Sequence, residues 1–160
     1  MTTKTKAVLR KELRAARRAH VAAQPDTIRG LLFHTPPRPL QVSFEPGAVI
    51  GLYHATPHEA PAHGYARFFK EAGHTIALPR FASEDAAMEF AEFADPFAET
   101  DLEAGPFGLK QPNADAESLV PTVVFVPLVG FTASGDRLGQ GGGHYDRWLS
   151  EHPSVQKIGL

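Results

Sequence analysis

The sequence predicts an α/β protein: a layered α/β/α domain with a central, largely parallel or mixed sheet of Rossmann-like kind. Three observations predict it. Ala48 to Tyr53 reads as a buried strand, a helical pattern follows to about Ala72, and Thr75 to Leu78 reads as a second strand. Strand, helix and strand in that order suggest a parallel βαβ unit. The apolar run Val123-Val124-Phe125-Val126-Pro127 and the terminal Lys157-Ile158-Gly159-Leu160 read as further strands, with a short helix from Tyr145 to Ser150 between them.

The 160 residues suffice for one domain, 1–160, with a real core. Hydrophobic residues make up 42% and charged ones 21%, ordinary values for a globular protein. The net charge of −2 supplies no global basic field for nucleic acid or membrane. The lack of cysteine removes disulfides and thiolate metal sites and fits a reducing compartment. No apolar run approaches a membrane span, and the basic N-terminus leads into more charge rather than a hydrophobic segment. The expectation is a cytoplasmic monomer that binds neither nucleic acid nor membrane.

Thr5 to about Ala23 is rich in Ala, Leu, Arg and Lys and reads as a helix. Leu9, Leu13, Ala16 and His20 share one face, which could meet a core. Lys6, Arg10, Arg14 and Arg17 form a neighbouring stripe. That stripe is a solvated face, a nucleic-acid surface, or, through Lys6 and Arg10 one turn apart, a grip on polyphosphate. Pro25 ends the helix, Asp26 or Thr27 caps a short one through Phe33, and Pro36, Pro37 and Pro39 make a loop. Pro61 suits the first turn of the next helix, whose apolar contacts are Tyr65, Phe68 and Phe69, and Gly73 suits its C-terminal cap. His54 to Glu59 lies at the carboxyl end of a strand, where ligands bind in such sheets. His54, His58 and His63 raise a metal hypothesis, although surface histidines are the commoner reading. Glu59 also fits a helix first turn. Met88 to Phe93 reads as a short strand. Gly105-Pro106-Phe107-Gly108 is a turn, with Phe107 either a hydrophobic plug or a platform for a flat ligand.

The stretch Arg137-Leu-Gly-Gln-Gly-Gly-Gly-His-Tyr-Asp146 carries the most chemistry. Its glycines leave the backbone bare and open to a ligand. Successive N–H groups there form an anion-binding concavity, and the helix that follows adds its dipole. Arg137 is a fixed cation and Asp146 a hard oxygen ligand. The local reading is a phosphate-binding loop with a metal-binding carboxylate at its far end; the alternative is a flexible surface turn. Neither the Rossmann fingerprint nor the P-loop ending is present.

With these residues in view, the chain resembles the 5-formyltetrahydrofolate cyclo-ligase family, also called methenyltetrahydrofolate synthetase. The match lies in Arg137 to Arg147, preceded by Val126-Pro127 and Gly130-Phe131. Lys6-Ala-Val-Leu-Arg10, Tyr53 with Glu59, Ala77-Leu78-Pro79-Arg80, and Gly105-Pro106-Phe107-Gly108 with Pro112 follow the family's order. The resemblance implies conversion of ATP and 5-formyltetrahydrofolate to 5,10-methenyltetrahydrofolate, ADP and phosphate, with Mg²⁺ required and a phosphorylated formyl intermediate.

By the same resemblance, ATP would be bound by Lys6, Ala7, Val8, Leu9 and Arg10, together with Arg137, Leu138, Gly139, Gln140, Gly141, Gly142, Gly143, His144 and Tyr145. Arg137 and Tyr145 would be catalytic and Asp146 would ligate Mg²⁺. His54, Glu59 and Phe107 would bind the folate, with Glu59 accepting from pterin N–H groups. The chain departs from the family at His144, where Tyr is usual, at Thr132, where Asp is common, and at His54, where a bulkier residue is usual. The family continues past the Lys157–Leu160 strand with further sheet and a second acidic metal ligand, so the chain is expected to lack that tail. The alternative function is a truncated, weakly active or inactive relative that binds nucleotide or folate without turnover.

Overall fold

The computed structural model describes residues 4–160. Helix α1 runs over Lys6–Ala23, with the Thr5 side chain accepting from the Val8 amide as its N-cap. Two short helices follow, α2 at Asp26–Arg29 and α3 at Arg38–Gln41. Strand β1 (Val49–Gly51), helix α4 (His63–Glu71) and strand β2 (Thr75–Arg80) form the expected βαβ unit, parallel with Val49 opposite Thr75. The chain continues through β3 (Glu89–Glu92), β4 (Leu102–Ala104), β5 (Lys110–Pro112), β6 (Ser118–Leu119) and β7 (Val123–Val126). A hairpin of β8 (Gly130–Phe131) and β9 (Arg137–Leu138) precedes helix α5 (His144–Glu151) and strand β10 (Gln156–Gly159).

Six strands form the main sheet in the order β10-β7-β1-β2-β3-β6. The pairs β10–β7, β7–β1 and β1–β2 are parallel, and β2–β3 and β3–β6 are antiparallel. The sheet is therefore mixed, as expected, and β10 is an edge. From β1 the chain moves outward to β2, then returns to place β7 on the other side. The carboxyl ends of β1 and β7 thus flank a topological switch point, where open α/β sheets bind ligands.

Alternation along the strands explains the two cores. Ile76, Leu78, Val123 and Phe125 point to the face covered by α4, where Tyr65 and Phe69 pack. Ala77, Val124 and Val126 point to the other face, against Trp148 of α5. All four residues of β7 are buried, as a strand covered on both faces requires. Gly51 has no room for a side chain: a Cβ there would lie 2.9 Å from Phe90 and 3.2 Å from Val124. Gly73 has φ 89. Its amide donates to Lys70 O while that of His74 donates to Phe69 O, closing α4 as expected of a glycine cap.

Several local expectations are corrected. No residue of α1 is buried, and Val8 and Leu13 are 44% and 36% exposed. This helix lies across a loop rather than against the sheet, so its apolar face never reaches the core. Pro25, not Asp26 or Thr27, is the N-cap of α2, which ends at Arg29 short of Phe33. Pro39 lies in the first turn of α3, directly after Arg38, instead of extending a loop, since proline fits a helix's first turn. Pro61 precedes α4, whose N-cap is Ala62, and Glu59 stands in the turn before it rather than in its first turn. Among the described residues no helix is long and apolar enough to cross a membrane.

Candidate active site

A cleft of about 400 Å³ opens beyond the carboxyl ends of β1 and β7. Tyr53, His54 and Glu59 enter it after β1, Phe81 after β2, and Pro127 after β7. Arg137 and the loop from Gly139 to Asp146 close one side, and Arg10 of α1 reaches in across them.

The first and last parts of the chain meet at this loop. Arg10 Nε donates to Gly139 O at 2.9 Å. One turn on, Arg14 Nη2 donates to Gln140 O at 2.5 Å and its Nε to Gln140 Oε1 at 3.1 Å. Arg17 Nη1 donates to Leu128 O at 3.4 Å. The arginine stripe is therefore more than a solvated face, because it saturates carbonyls of a loop that has no partner strand. Lys6, Ala7 and Val8 are exposed, Leu9 is half-buried, and none of the four lines the cleft; neither does Leu138.

Gly141 and Gly143 have φ 112 and φ 72, in the left-handed region that glycine reaches without penalty. Gly143 is also the N-cap of α5, so the loop runs into the positive end of that helix. Arg137 pairs with Asp146 through Nη2 and Oδ1. The Arg137 side chain is 19% exposed and that of Asp146 77%, so a ligand reaches the carboxylate from solvent. Among the described residues no group of three or more His, Cys, Asp or Glu could hold a metal, and His54, His58 and His63 form no such group. A lone carboxylate does fit Mg²⁺, which keeps most of its waters and shares a substrate's phosphates.

Tyr145 is half-buried. Burial, then Tyr53 and Glu59, push its pKa well above the ordinary phenol range, against Arg137. Tyr53 is raised likewise, by burial first and Glu59 second, and donates to Ala60 O at 2.7 Å. Both phenols are neutral donors at physiological pH. Glu59 accepts from the Thr56 amide at 2.8 Å and from Gln140 Nε2 at 3.2 Å.

His144 is lowered below its ordinary value by burial first and Arg147 second. Arg147 Nη2 lies 3.1 Å from His144 Nδ1. A guanidinium only donates, so Nδ1 accepts and the neutral ring carries its proton on Nε2. The ring belongs to an aromatic trio, 4.9 Å from Phe81 and 5.4 Å from Phe107. Phe107 is 49% exposed at φ 65, which excludes the plug reading and leaves its ring on the cleft wall. Left-handed backbone at a phenylalanine costs on the order of 1–3 kcal/mol and persists where surrounding structure enforces it. His54 Nε2 lies 3.7 Å from Glu99 Oε2, facing a smaller neighbouring cavity.

Sequence reasoning missed Phe81, Met88 and Gln111 as cleft residues. The strand-end rule that singled out His54 would have found Phe81, which follows β2 directly. Gln111 gave no signal. It is buried, accepting from Phe81 N at 3.0 Å and donating to Phe81 O at 3.1 Å, and so fixes that ring's backbone.

The 5-formyltetrahydrofolate cyclo-ligase family model matches residues 2–159. A probable 5-formyltetrahydrofolate cyclo-ligase of Caenorhabditis elegans is 27% identical over 129 residues, covering 73% of this chain and 63% of that one. The 5-formyltetrahydrofolate cyclo-ligase of Haemophilus influenzae is 35% identical over 68 residues, covering 39% of this chain and 36% of that one. The chain thus spans less than two thirds of either relative, 63% and 36%. Solved structures share its fold as well. A 5,10-methenyltetrahydrofolate synthetase from Mycoplasma pneumoniae has a TM-score of 0.67 at 22% identity, over 98% of this chain and 84% of that one. That of Aquifex aeolicus has a TM-score of 0.69 at 23% identity, over 97% and 76%. With a family match over almost its whole length, on the fold just described, the chain belongs to the 5-formyltetrahydrofolate cyclo-ligase family.

Proposed function

We propose that this chain closes 5-formyltetrahydrofolate to 5,10-methenyltetrahydrofolate, using ATP with Mg²⁺ and releasing ADP and phosphate. The observation that carries the reading is the 2.9 Å bond from Arg10 to Gly139, which brings the amino-terminal helix to the glycine loop over one cleft. Cations and bare amides are what a phosphoryl group needs, and the aromatic wall opposite suits a pteridine ring.

The formyl group is an amide, with a weakly electrophilic carbon and an oxygen that leaves poorly. In the proposed step the formyl oxygen takes the terminal phosphoryl group of ATP and ADP departs. The folate's second nitrogen then attacks the activated carbon, phosphate leaves, and the nitrogen sheds its proton. Phosphoryl transfer is catalysed chiefly by positioning and charge stabilisation. Arg10, Arg137 and the amides from Gly141 to Gly143 supply both. Asp146 would hold Mg²⁺ together with the phosphates, where the ion neutralises charge on the transferring group. Asp146, with 77% of its side chain exposed, can turn from Arg137 to the ion without leaving water.

Tyr145, being neutral, donates a hydrogen bond to the oxygen that accumulates charge. Glu59 accepts from pterin N–H groups, and Phe107 and His54 contact the folate. The test is the absorbance of the methenyl product after mixing protein, Mg²⁺, ATP and 5-formyltetrahydrofolate. Product that requires both ATP and the metal is expected. Retained binding of either ligand with no product would replace the proposal with the non-catalytic reading.

A further inference from the structure

We propose that Gln140 is a positioning residue: its side-chain amide, oriented by Arg14, fixes Glu59 and so ties the glycine loop to the folate end of the cleft. The inference rests on the functional reading above and gives the Gln140 side chain a task separate from the nucleotide.

Four contacts carry it. Arg14 Nε donates to Gln140 Oε1 at 3.1 Å, and Arg14 Nη2 to Gln140 O at 2.5 Å. Gln140 Nε2 donates to Glu59 Oε1 at 3.2 Å, and the Thr56 amide to Glu59 Oε2 at 2.8 Å. A guanidinium can only donate and a carboxylate can only accept. The group between them must accept on one side and donate on the other, which a primary amide does. Its two partners also dictate which end faces which. Each Glu59 oxygen has one protein donor and keeps acceptor capacity for a ligand. The bonds from Gln140 are exposed, so they contribute little to stability. Their consequence is geometric: a misplacement of about 1 Å near a reacting centre can cost on the order of 10²-fold in rate.

Gln140→Glu is the discriminating substitution. It has the same shape and keeps the acceptor for Arg14, but sets a carboxylate against Glu59. Like charges at that distance raise a carboxyl pKa. At pH 8 the dissociation constant for 5-formyltetrahydrofolate is expected to rise at least about tenfold, the equivalent of one pKa unit of lost interaction. That loss should exceed any loss for a non-hydrolysable ATP analogue, which meets the loop's main chain.

Gln140→Ala, which removes the donor without adding a charge, should lose folate affinity to a smaller degree than Gln140→Glu. Wild-type-like folate binding by Gln140→Glu, beside a wild type that binds both ligands, would overturn the positioning role alone. A wild type that binds neither ligand would overturn the functional reading and this inference with it.

Discussion

On the sheet side of the cleft, Tyr53 and Phe81 hang from strands whose neighbours Phe69, Phe90 and Phe125 are at most 1% exposed. On the loop side, no residue from Gly139 to Tyr145 is buried. That loop is held instead by Arg10, Arg14 and Arg147 donating to its carbonyls at Gly139, Gln140 and Gly142. The first wall is set by non-directional packing, which many apolar side chains would satisfy. The second is set mainly by a few directional bonds, with packing confined to its far end, where His144 meets Phe81 and Phe107. Segments with few buried contacts open most easily, so the loop side is where ligand should do most of the ordering.

Substitutions that separate stability from function sharpen this contrast. Phe69→Ala should lower stability by about 3–5 kcal/mol in denaturant titration, the cost of emptying an aromatic core site. A smaller loss would mean that the sheet side is looser than its burial implies. Arg137→Ala should do the reverse, lowering kcat/KM for ATP on the order of 10²-fold while leaving the denaturation midpoint almost unmoved. If neither kinetic parameter shifts, Arg137 is not part of the machinery. Asp146→Asn should raise the Mg²⁺ needed for half-maximal rate on the order of tenfold, since a hard cation loses its anionic ligand; an unchanged titration would remove Asp146 from the metal. Arg10→Ala should raise the KM for ATP by about tenfold, the worth of one charge-assisted hydrogen bond.

The smallest effect is a pH dependence of stability. His144 and His63 are both held below their ordinary value of 6.5, by burial first and then by Arg147 and Arg67 respectively. In each case the unfolded chain takes the proton more readily. Their contribution is therefore complete above about 6.5 and is lost as pH falls through that value toward the folded pKa. The melting temperature of wild type should drop between pH 7.5 and 5.5, and His63→Gln with His144→Gln should flatten that drop. An unaltered slope would assign the pH dependence to other groups.

Much of the scaffold was legible because its signals are local. The glycine cap at Gly73, the two strands of the βαβ unit and the apolar run of β7 announce themselves within a few residues. The ribbons β4–β5 and β8–β9 did not, since strands of two or three residues carry no alternation to detect. Phe107 remained open between plug and platform because exposure depends on what packs over it. The apolar face of α1 misled for the same reason: periodicity states that a face exists, not what it meets.

The sequence by itself determined the inventory of the cleft: bare glycines, a basic helix, an acidic residue after a strand and a carboxylate at a helix start. Residue type and short-range period are properties of neighbouring positions, so they can be read directly. Which of these groups touch was decided only by tertiary structure. Arg14 reaches Gln140 across 126 positions, and Gln140 reaches Glu59 across 81. An amide has no intrinsic preference for one partner over another. The choice follows from how α1 lies on the loop, and long-range packing of that kind leaves no periodic trace in the chain.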